Sequence, residues 1–272
     1  MIPLCNLHTH TSYCDGKNTP EEMICEAIRL GCHTIGFSGH APSDLWNGEA
    51  WCMSTEALEQ YRNELFSLKE KYAEQIEVAV GLELDYYSPK PDWVEYTIGS
   101  VHQIKLSTTE IPVDLDYNEL ALAVKTYYGG DFVAFAKDFY ACSADVAKKT
   151  KCDIVGHFDL VTKFNEKYHY LDESDSKYQS RALEDLDAAM ESDVLFEINT
   201  CAISRGWRTT PYPAPFLLKR MAEKKGRVIL NSDSHAKESL LCGFEESVEY
   251  ARSCGLTELW VYRNGKFVPF KI

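Results

Sequence analysis

The sequence predicts an α/β chain built on one parallel sheet that closes into a barrel. Seven short apolar or β-branched runs alternate with longer stretches of helical spacing. No Pro/Gly/Ser-rich linker interrupts them, so residues 1–272 read as one domain. Imidazole and carboxylate side chains gather at the ends of these runs, where the loops of an α/β barrel meet on one face. The active site is therefore expected at the C-terminal ends of the strands.

In chain order, strands are expected at 4–8, 34–38, 78–84, 97–101, 154–157, 195–199 and 228–232. The first helix opens at Thr19-Pro20-Glu21-Glu22. Thr19 suits the cap, Pro20 the first helical position, and Glu22 the reciprocal bond of a capping box. Met23, Ala27 and Leu30 share its apolar face, and Gly31 ends it. Leu58, Tyr61, Leu65, Phe66 and Leu68 give a second helix over 54–72. Further helices are expected near 117–128, 131–150, 176–191, 213–225 and 244–253. Residues 260–268 read as a hairpin turning on Asn264-Gly265, a structural appendage.

Composition excludes several classes. Hydrophobic residues make up 45% and charged residues 26%, the balance of a globular chain. The formal charge is −14, which disfavours sequence-independent nucleic-acid binding, since that relies on Lys and Arg against phosphates. No apolar run reaches 18 residues, so no membrane span is expected. Met-Ile-Pro-Leu-Cys enters the first apolar run without a basic leader, and the chain is expected in the cytoplasm. The ten cysteines show no Cys-x-x-Cys spacing and read as reduced, mostly buried thiols.

The chemistry lies in six segments: His8-x-His10 with Asp15, His40, Glu83, His102, His157, and Asp233-x-His235. Residues two apart on a strand face the same way, so His8/His10 and Asp233/His235 are chelating pairs. Glu83 ends a buried-looking run, where a carboxylate is costly unless it is paired or metal-bound, and it reads as a bridging ligand. Singly, His40, His102 and His157 read as core histidines; their shared strand-end position with the two pairs makes them ligands. Asp15 reads as either a ligand or a turn residue before Gly16. Nine donors are too many for one tetrahedral ion and suit two or three divalent cations, Zn, Mn, Fe or Co. Such a site activates water and clamps phosphoryl oxygens, which points to a metal-dependent hydrolase acting on a phosphate ester. Lys163 and Arg205 follow the fifth and sixth strands and read either as phosphate contacts or as solvated loop cations. His33 and His169 lie outside strand ends and read as surface or helix-terminus residues.

In their order, these motifs resemble the polymerase-and-histidinol-phosphatase (PHP) family over essentially the whole chain. The motifs are His8-x-His10, Asp15, Gly39-His40, Gly81-x-Glu83, Ser100-Val101-His102, Gly156-His157-Phe158-Asp159 and Ser232-Asp233-Ser234-His235. The stretch from Tyr127-Tyr128-Gly129-Gly130-Asp131 through Phe139-Tyr140 to 153–164 resembles the histidinol-phosphatase branch more than the polymerase-linked domains. The resemblance implies a distorted seven-stranded (β/α) TIM-like barrel with a trinuclear site. Carried over, His8, His10, Glu83 and Asp233 hold the first metal. Glu83 is shared with the second, which takes His102 and His157; Asp15, His40 and His235 hold the third. Many members have His where this chain has Asp15, but the histidinol-phosphatases commonly have Asp. The family sets basic residues against the phosphate at the positions of Lys163 and Arg205, and Lys163 departs from the Arg of relatives, losing its bidentate fork.

The implied reaction is hydrolysis of L-histidinol phosphate to L-histidinol and phosphate in histidine biosynthesis, by in-line attack of a bridging hydroxide. The expected partner is this small phosphomonoester rather than nucleic acid or membrane. Asp44, Trp46, Tyr86 and Phe164 fit the description of residues meeting an amine and an imidazole, although each reads more readily as structural. The alternatives are another PHP-type phosphoesterase, such as a nucleotide phosphatase or 3′ exonuclease, and a catalytically silent metal-binding module.

Overall fold

The structure is a computed structural model describing every residue except Met1, Asp44, Asn47, Ala50 and Thr108; the Asp44 expectation thus lies outside the described residues. In order, its elements are β1 (Cys5–Asn6), α1 (Pro20–Arg29), β2 (Thr34–Phe37), α2 (Thr55–Lys71), β3 (Glu77–Asp85), β4 (Tyr96–Ser100), β5 (Gln103–Lys105) and β6 (Glu110–Pro112). There follow α3 (Tyr117–Tyr128), α4 (Phe132–Thr150), β7 (Ile154–Val155), α5 (Asn165–Tyr168), α6 (Ser176–Ala189), β8 (Leu195–Asn199) and α7 (Cys201–Ser204). The last are α8 (Pro215–Glu223), β9 (Arg227–Asn231), α9 (Phe244–Ser253), β10 (Glu258–Arg263) and β11 (Lys266–Lys271).

The seven expected strands are all present and pair in parallel in the order β1-β2-β3-β4-β7-β8-β9. The sheet has nine strands, not seven, because β10 joins β9 in parallel and β11 folds back on β10. The physical reason lies at the two edges. Just past β1 and β9 the chain pairs directly, Thr9 with Ser234, through His10 N donating to Ser234 O at 2.8 Å. Nearer the strand starts, the hairpin takes that place: the Tyr262 carbonyl accepts from Thr34 Oγ1 at 2.9 Å, and its N–H meets Cys5 Sγ. A sheet edge that would otherwise be unpaired is thereby covered. Asn264 and Gly265 both take positive φ, as a two-residue hairpin turn requires.

Alternation along the strands sorts the sheet's interior into two levels. Cys5, Ala79, Ile98, Ile154, Leu195, Ile229 and Val261 pack together in one apolar cluster. Two residues or more further along the same faces come Glu83, Ser100, Glu197, Asn199 and Asn231, all nearly inaccessible to solvent. The apolar level excludes water beneath; the polar level above carries the chemistry. Larger clusters pack the opposite faces of the strands against the helices.

Helix ends follow the sequence closely. Thr19 and Glu22 form the expected capping box, and Pro20 is the first residue of α1. α8 begins at Pro215 rather than 213, since Pro favours the first helical position and the Ala214 N–H is already held by Asp159. The small antiparallel pair β5–β6 was not expected; three-residue strands are too short to show alternation. All ten cysteines are unpaired. Among the described residues, no helix is long and apolar enough to cross a membrane.

Candidate metal centre

All nine predicted donors converge at the C-terminal ends of the strands, around Glu83 on β3. Its Oε2 lies 3.2 Å from His8 Nε2, 3.4 Å from His10 Nε2 and 3.0 Å from His40 Nδ1. Its Oε1 lies 3.4 Å from His102 Nε2 and 3.1 Å from His157 Nε2. One carboxylate thus faces five imidazoles, three on one oxygen and two on the other. Ser100 Oγ donates to Oε1 at 2.5 Å. Ser100 fits there because Gly156 on the neighbouring strand's end has no side chain; a Cβ at Gly156 would stand 2.6 Å from that hydroxyl.

Asp233 and Asp15 complete two further groups. Asp233 Oδ1 is 3.1 Å from His10 Nε2, 3.6 Å from His8 Nε2 and 3.5 Å from His235 Nδ1. Asp233 adopts φ +50°, a left-handed conformation that Asp tolerates better than most residues and that clusters at functional sites. Asp15 Oδ2 lies 3.1 Å from His235 Nε2, and Oδ1 lies 3.6 Å from His10 Nδ1 and 3.8 Å from His40 Nε2. Ligand atoms of His10, Asp15, His40 and His235 all fall within 4.8 Å of one another, as do those of His8, His10 and Asp233, and those of His40, Glu83 and His102. His10 enters two of these groups, with Nε2 toward Asp233 and Nδ1 toward Asp15, whereas the family resemblance implies the first alone. Asp15 lies in a turn, and its carboxylate faces these donors.

The electrostatics are those of crowded donors. Burial opposes charge on Glu83, yet His8, His40 and His102 outweigh it and hold the carboxyl well below its usual range. The same contest, with His8, His10 and His235, holds Asp233 well below its own. Burial also opposes a proton on His102, but Glu83 and Asp85 push it up to about 10. His10 goes the other way, to about 3, through burial and its neighbours His235 and His40. His8 Nε2, His10 Nε2, Glu83 Oε2 and Asp233 Oδ1 are all buried, and none makes a hydrogen bond. Four unsatisfied lone-pair atoms turned toward one another are costly in a protein interior, and a cation among them removes that cost. The donor set, mainly imidazole and carboxylate, fits a multinuclear divalent site.

A cleft of about 190 Å³ opens over the cluster, lined by donors and by Trp51, Asp114, Leu160, Lys163, Arg205 and Tyr212 among others. Arg205, at the end of α7, makes no ion pair among the described residues; the carboxylates across the cleft, with Cys201, raise its pKa against the opposing effect of burial. Lys163 is less free. Its Nζ donates to Asp114 Oδ2 at 2.9 Å and to the Asp114 carbonyl at 2.7 Å. Trp46, Tyr86 and Phe164 are not among the cleft's lining residues: Tyr86 bonds Asp145, and Phe164 is buried against Trp207. His169 caps the end of α5, and His33 bonds Thr34.

Sequence reasoning missed two carboxylates. Glu197, mid-strand on β8, accepts from His8 Nδ1 at 2.7 Å, from His157 N at 3.0 Å, and from the Asn199 and Asn231 amides. The signal was present: an acid between Phe196 and Ile198 is as anomalous as Glu83. Asp85 accepts from His102 N and lies 3.4 Å from its Nδ1. A carboxylate on the far nitrogen of a ligating histidine fixes the ring's orientation.

Comparison with known proteins agrees with this geometry. The PHP domain model matches residues 6–201. The "Probable histidinol-phosphatase" of Deinococcus radiodurans is 30% identical over 99% of this chain and 100% of its own. That of Schizosaccharomyces pombe is 26% identical over 95% of this chain and 89% of its own. The crystal structure of histidinol phosphate phosphatase from Lactococcus lactis, complexed with zinc, L-histidinol and phosphate, is similar in fold. It has a TM-score of 0.71 at 19% identity, covering 97% of this chain and 98% of that one. With its donors gathered at the strand ends and its sequence matched over this span, the chain belongs to the PHP domain family.

Proposed function

We propose that this chain is a metal-dependent phosphomonoesterase that hydrolyses L-histidinol phosphate to L-histidinol and phosphate in histidine biosynthesis. The observation that carries the reading is the convergence of nine donors on and around Glu83, in a chain alignable end to end with a probable histidinol-phosphatase. His8, His10, Glu83 and Asp233 would hold one ion. Glu83, His102 and His157 would hold a second; Asp15, His40 and His235, with His10 beside them, would hold a third. Divalent ions supply Lewis acidity toward phosphoryl oxygens and make water a usable nucleophile at neutral pH.

The chain's own residues do the rest. Arg205 offers a guanidinium to phosphate oxygens from the cleft wall, with Lys163 beside it. Glu197 and Asp85 fix the His8 and His102 rings. Trp51, Leu160 and Tyr212 narrow the cleft around a small substrate rather than a polymer. In this reading residues 1–272 form one domain, the seven parallel strands form a distorted TIM-like barrel, and the enzyme works in the cytoplasm.

The test compares phosphate release from histidinol phosphate, a nucleoside bisphosphate and an oligonucleotide, alongside elemental analysis of the purified protein. Two or three divalent ions per chain and fast turnover of histidinol phosphate alone are expected. Turnover of either nucleotide substrate in its place would overturn the substrate assignment.

A further inference from the structure

One donor near the centre is of a different chemical kind. Cys201, the first residue of α7, is 8% exposed and lines the cleft together with Arg205, Asp233 and His235. Ligand atoms of Cys201, Asp233 and His235 lie within 4.8 Å of one another. Asp233 is itself 8% exposed, and its buried Oδ1 makes no hydrogen bond. The backbone holds the thiol there firmly: Cys201 N donates to Asn199 Oδ1 at 2.9 Å, and the Asn199 amide donates to Asp233 Oδ2 at 3.2 Å. Asn199 thus ties the start of α7 to the carboxylate opposite. Sγ donates no hydrogen bond among the described residues.

We propose that Cys201 is a thiolate ligand on the Asp233–His235 side of the centre, so that one ion position selects a thiophilic cation, zinc or cadmium, over manganese or magnesium. On binding, an Sγ–metal bond forms and the S–H proton passes to solvent, with no change of oxidation state. Thiolate sulfur is a soft donor, and it sharpens the preference for zinc and cadmium beyond what carboxylate and imidazole give. Cys14, whose Sγ lies 3.6 Å from His10 Nδ1, falls in none of the donor groups and serves as the control. The inference rests on the multinuclear reading of the site.

The experiment strips the purified protein of metal, reloads it with cadmium alone, and records both bound cadmium and the ultraviolet thiolate-to-cadmium charge-transfer band. The wild type is expected to show the band, Cys14→Ser to keep it, and Cys201→Ser and Cys201→Ala to lose it. Cys201→Ser should bind zinc at least about tenfold more weakly while its manganese affinity holds, a loss at the low end of that seen on changing a ligand's outer partner. Cadmium bound without a Cys201-dependent band, which the wild-type spectrum can show by itself, overturns this inference and leaves the multinuclear site standing. A protein that takes up manganese but no cadmium overturns this inference alone, and one that takes up neither overturns both.

Discussion

Glu197 Oε1 accepts from His8 Nδ1 at 2.7 Å, and this single contact aims His8 Nε2 at Glu83 Oε2, 3.2 Å away. With Nδ1 carrying the proton, Nε2 presents a lone pair to the centre. Both Glu197 oxygens are occupied by donors, so the amide of Glu197→Gln would set N–H against N–H. Metal content and kcat/KM are expected to fall 10- to 100-fold, with partial recovery in excess metal. Unchanged metal content in Glu197→Gln would show that His8 needs no such orientation.

Removing the metal should cost stability as well as activity. The Nε2 and carboxylate atoms at the centre are buried without hydrogen bonds, and a cation among them supplies the missing partner. An ion present at about 1,000 times its Kd stabilises the folded state by about 4 kcal/mol. For a chain of this size that is a fall in Tm on the order of 10 °C on chelation, reversed by adding metal back. Calorimetry with and without chelator reads it. Glu83→Gln should melt near the chelated wild type and not respond to metal.

Arg205 and Lys163 should separate cleanly. Arg205→Ala removes a cleft cation without an ion-pair partner among the described residues, so stability should hold within about 0.5 kcal/mol. Its kcat/KM should fall about 10²- to 10³-fold, the loss typical of one donor to developing negative charge. Lys163→Met instead leaves Asp114 without its amine. Burial raises the Asp114 carboxyl, but Lys163 and His102 outweigh it and hold the group at about 2. A loss of roughly 1–3 kcal/mol is expected, less than for a fully buried pair because Asp114 is partly exposed. Asp114→Asn in the same chain should restore most of it. Urea unfolding of the four proteins decides.

Asp159 should make stability fall as pH rises. It is fully buried, its Oδ2 accepts from Ala214 N and its Oδ1 accepts nothing. Burial lifts its pKa from 3.8 to about 6, against the pull of Arg208. The folded state therefore binds the proton more tightly than the unfolded chain. Its contribution is complete below about pH 4 and is lost as pH rises through 6, about 3 kcal/mol in all. Asp159→Asn cannot titrate, so wild-type stability minus variant stability should decline between pH 4 and 6. A flat difference would mean that the group is ionised throughout.

The sequence revealed most of the centre because the signals were local. Two-residue spacing in His8-x-His10 and Asp233-x-His235 states which side chains share a face, and strand ends state where they meet. Glu83 announced itself as a charge in an apolar run. Glu197 carried the same signal but sits mid-strand, and a search directed at strand ends passed over it. Asp114 gave none: it follows β6, three residues long, and reaches Lys163 across 49 positions of chain. Aromatic residues were least legible. Phe164 and Tyr212 look alike in a hydrophobicity pattern, yet one is packed behind the cleft and the other lines it. Periodicity says that a ring is buried, not what it is buried against.

The direct pairing of Thr9 with Ser234 has a consequence for synthesis. A nascent polypeptide that has cleared the ribosome only as far as residue 200 already contains His8, Glu83 and His157, but not the segment that brackets them from the other side. Until that segment emerges, five clustered imidazoles and two acids lack Asp233 and His235, so two of the three imidazole-and-carboxylate groups at the centre stay incomplete until β9 and the residues after it have been made.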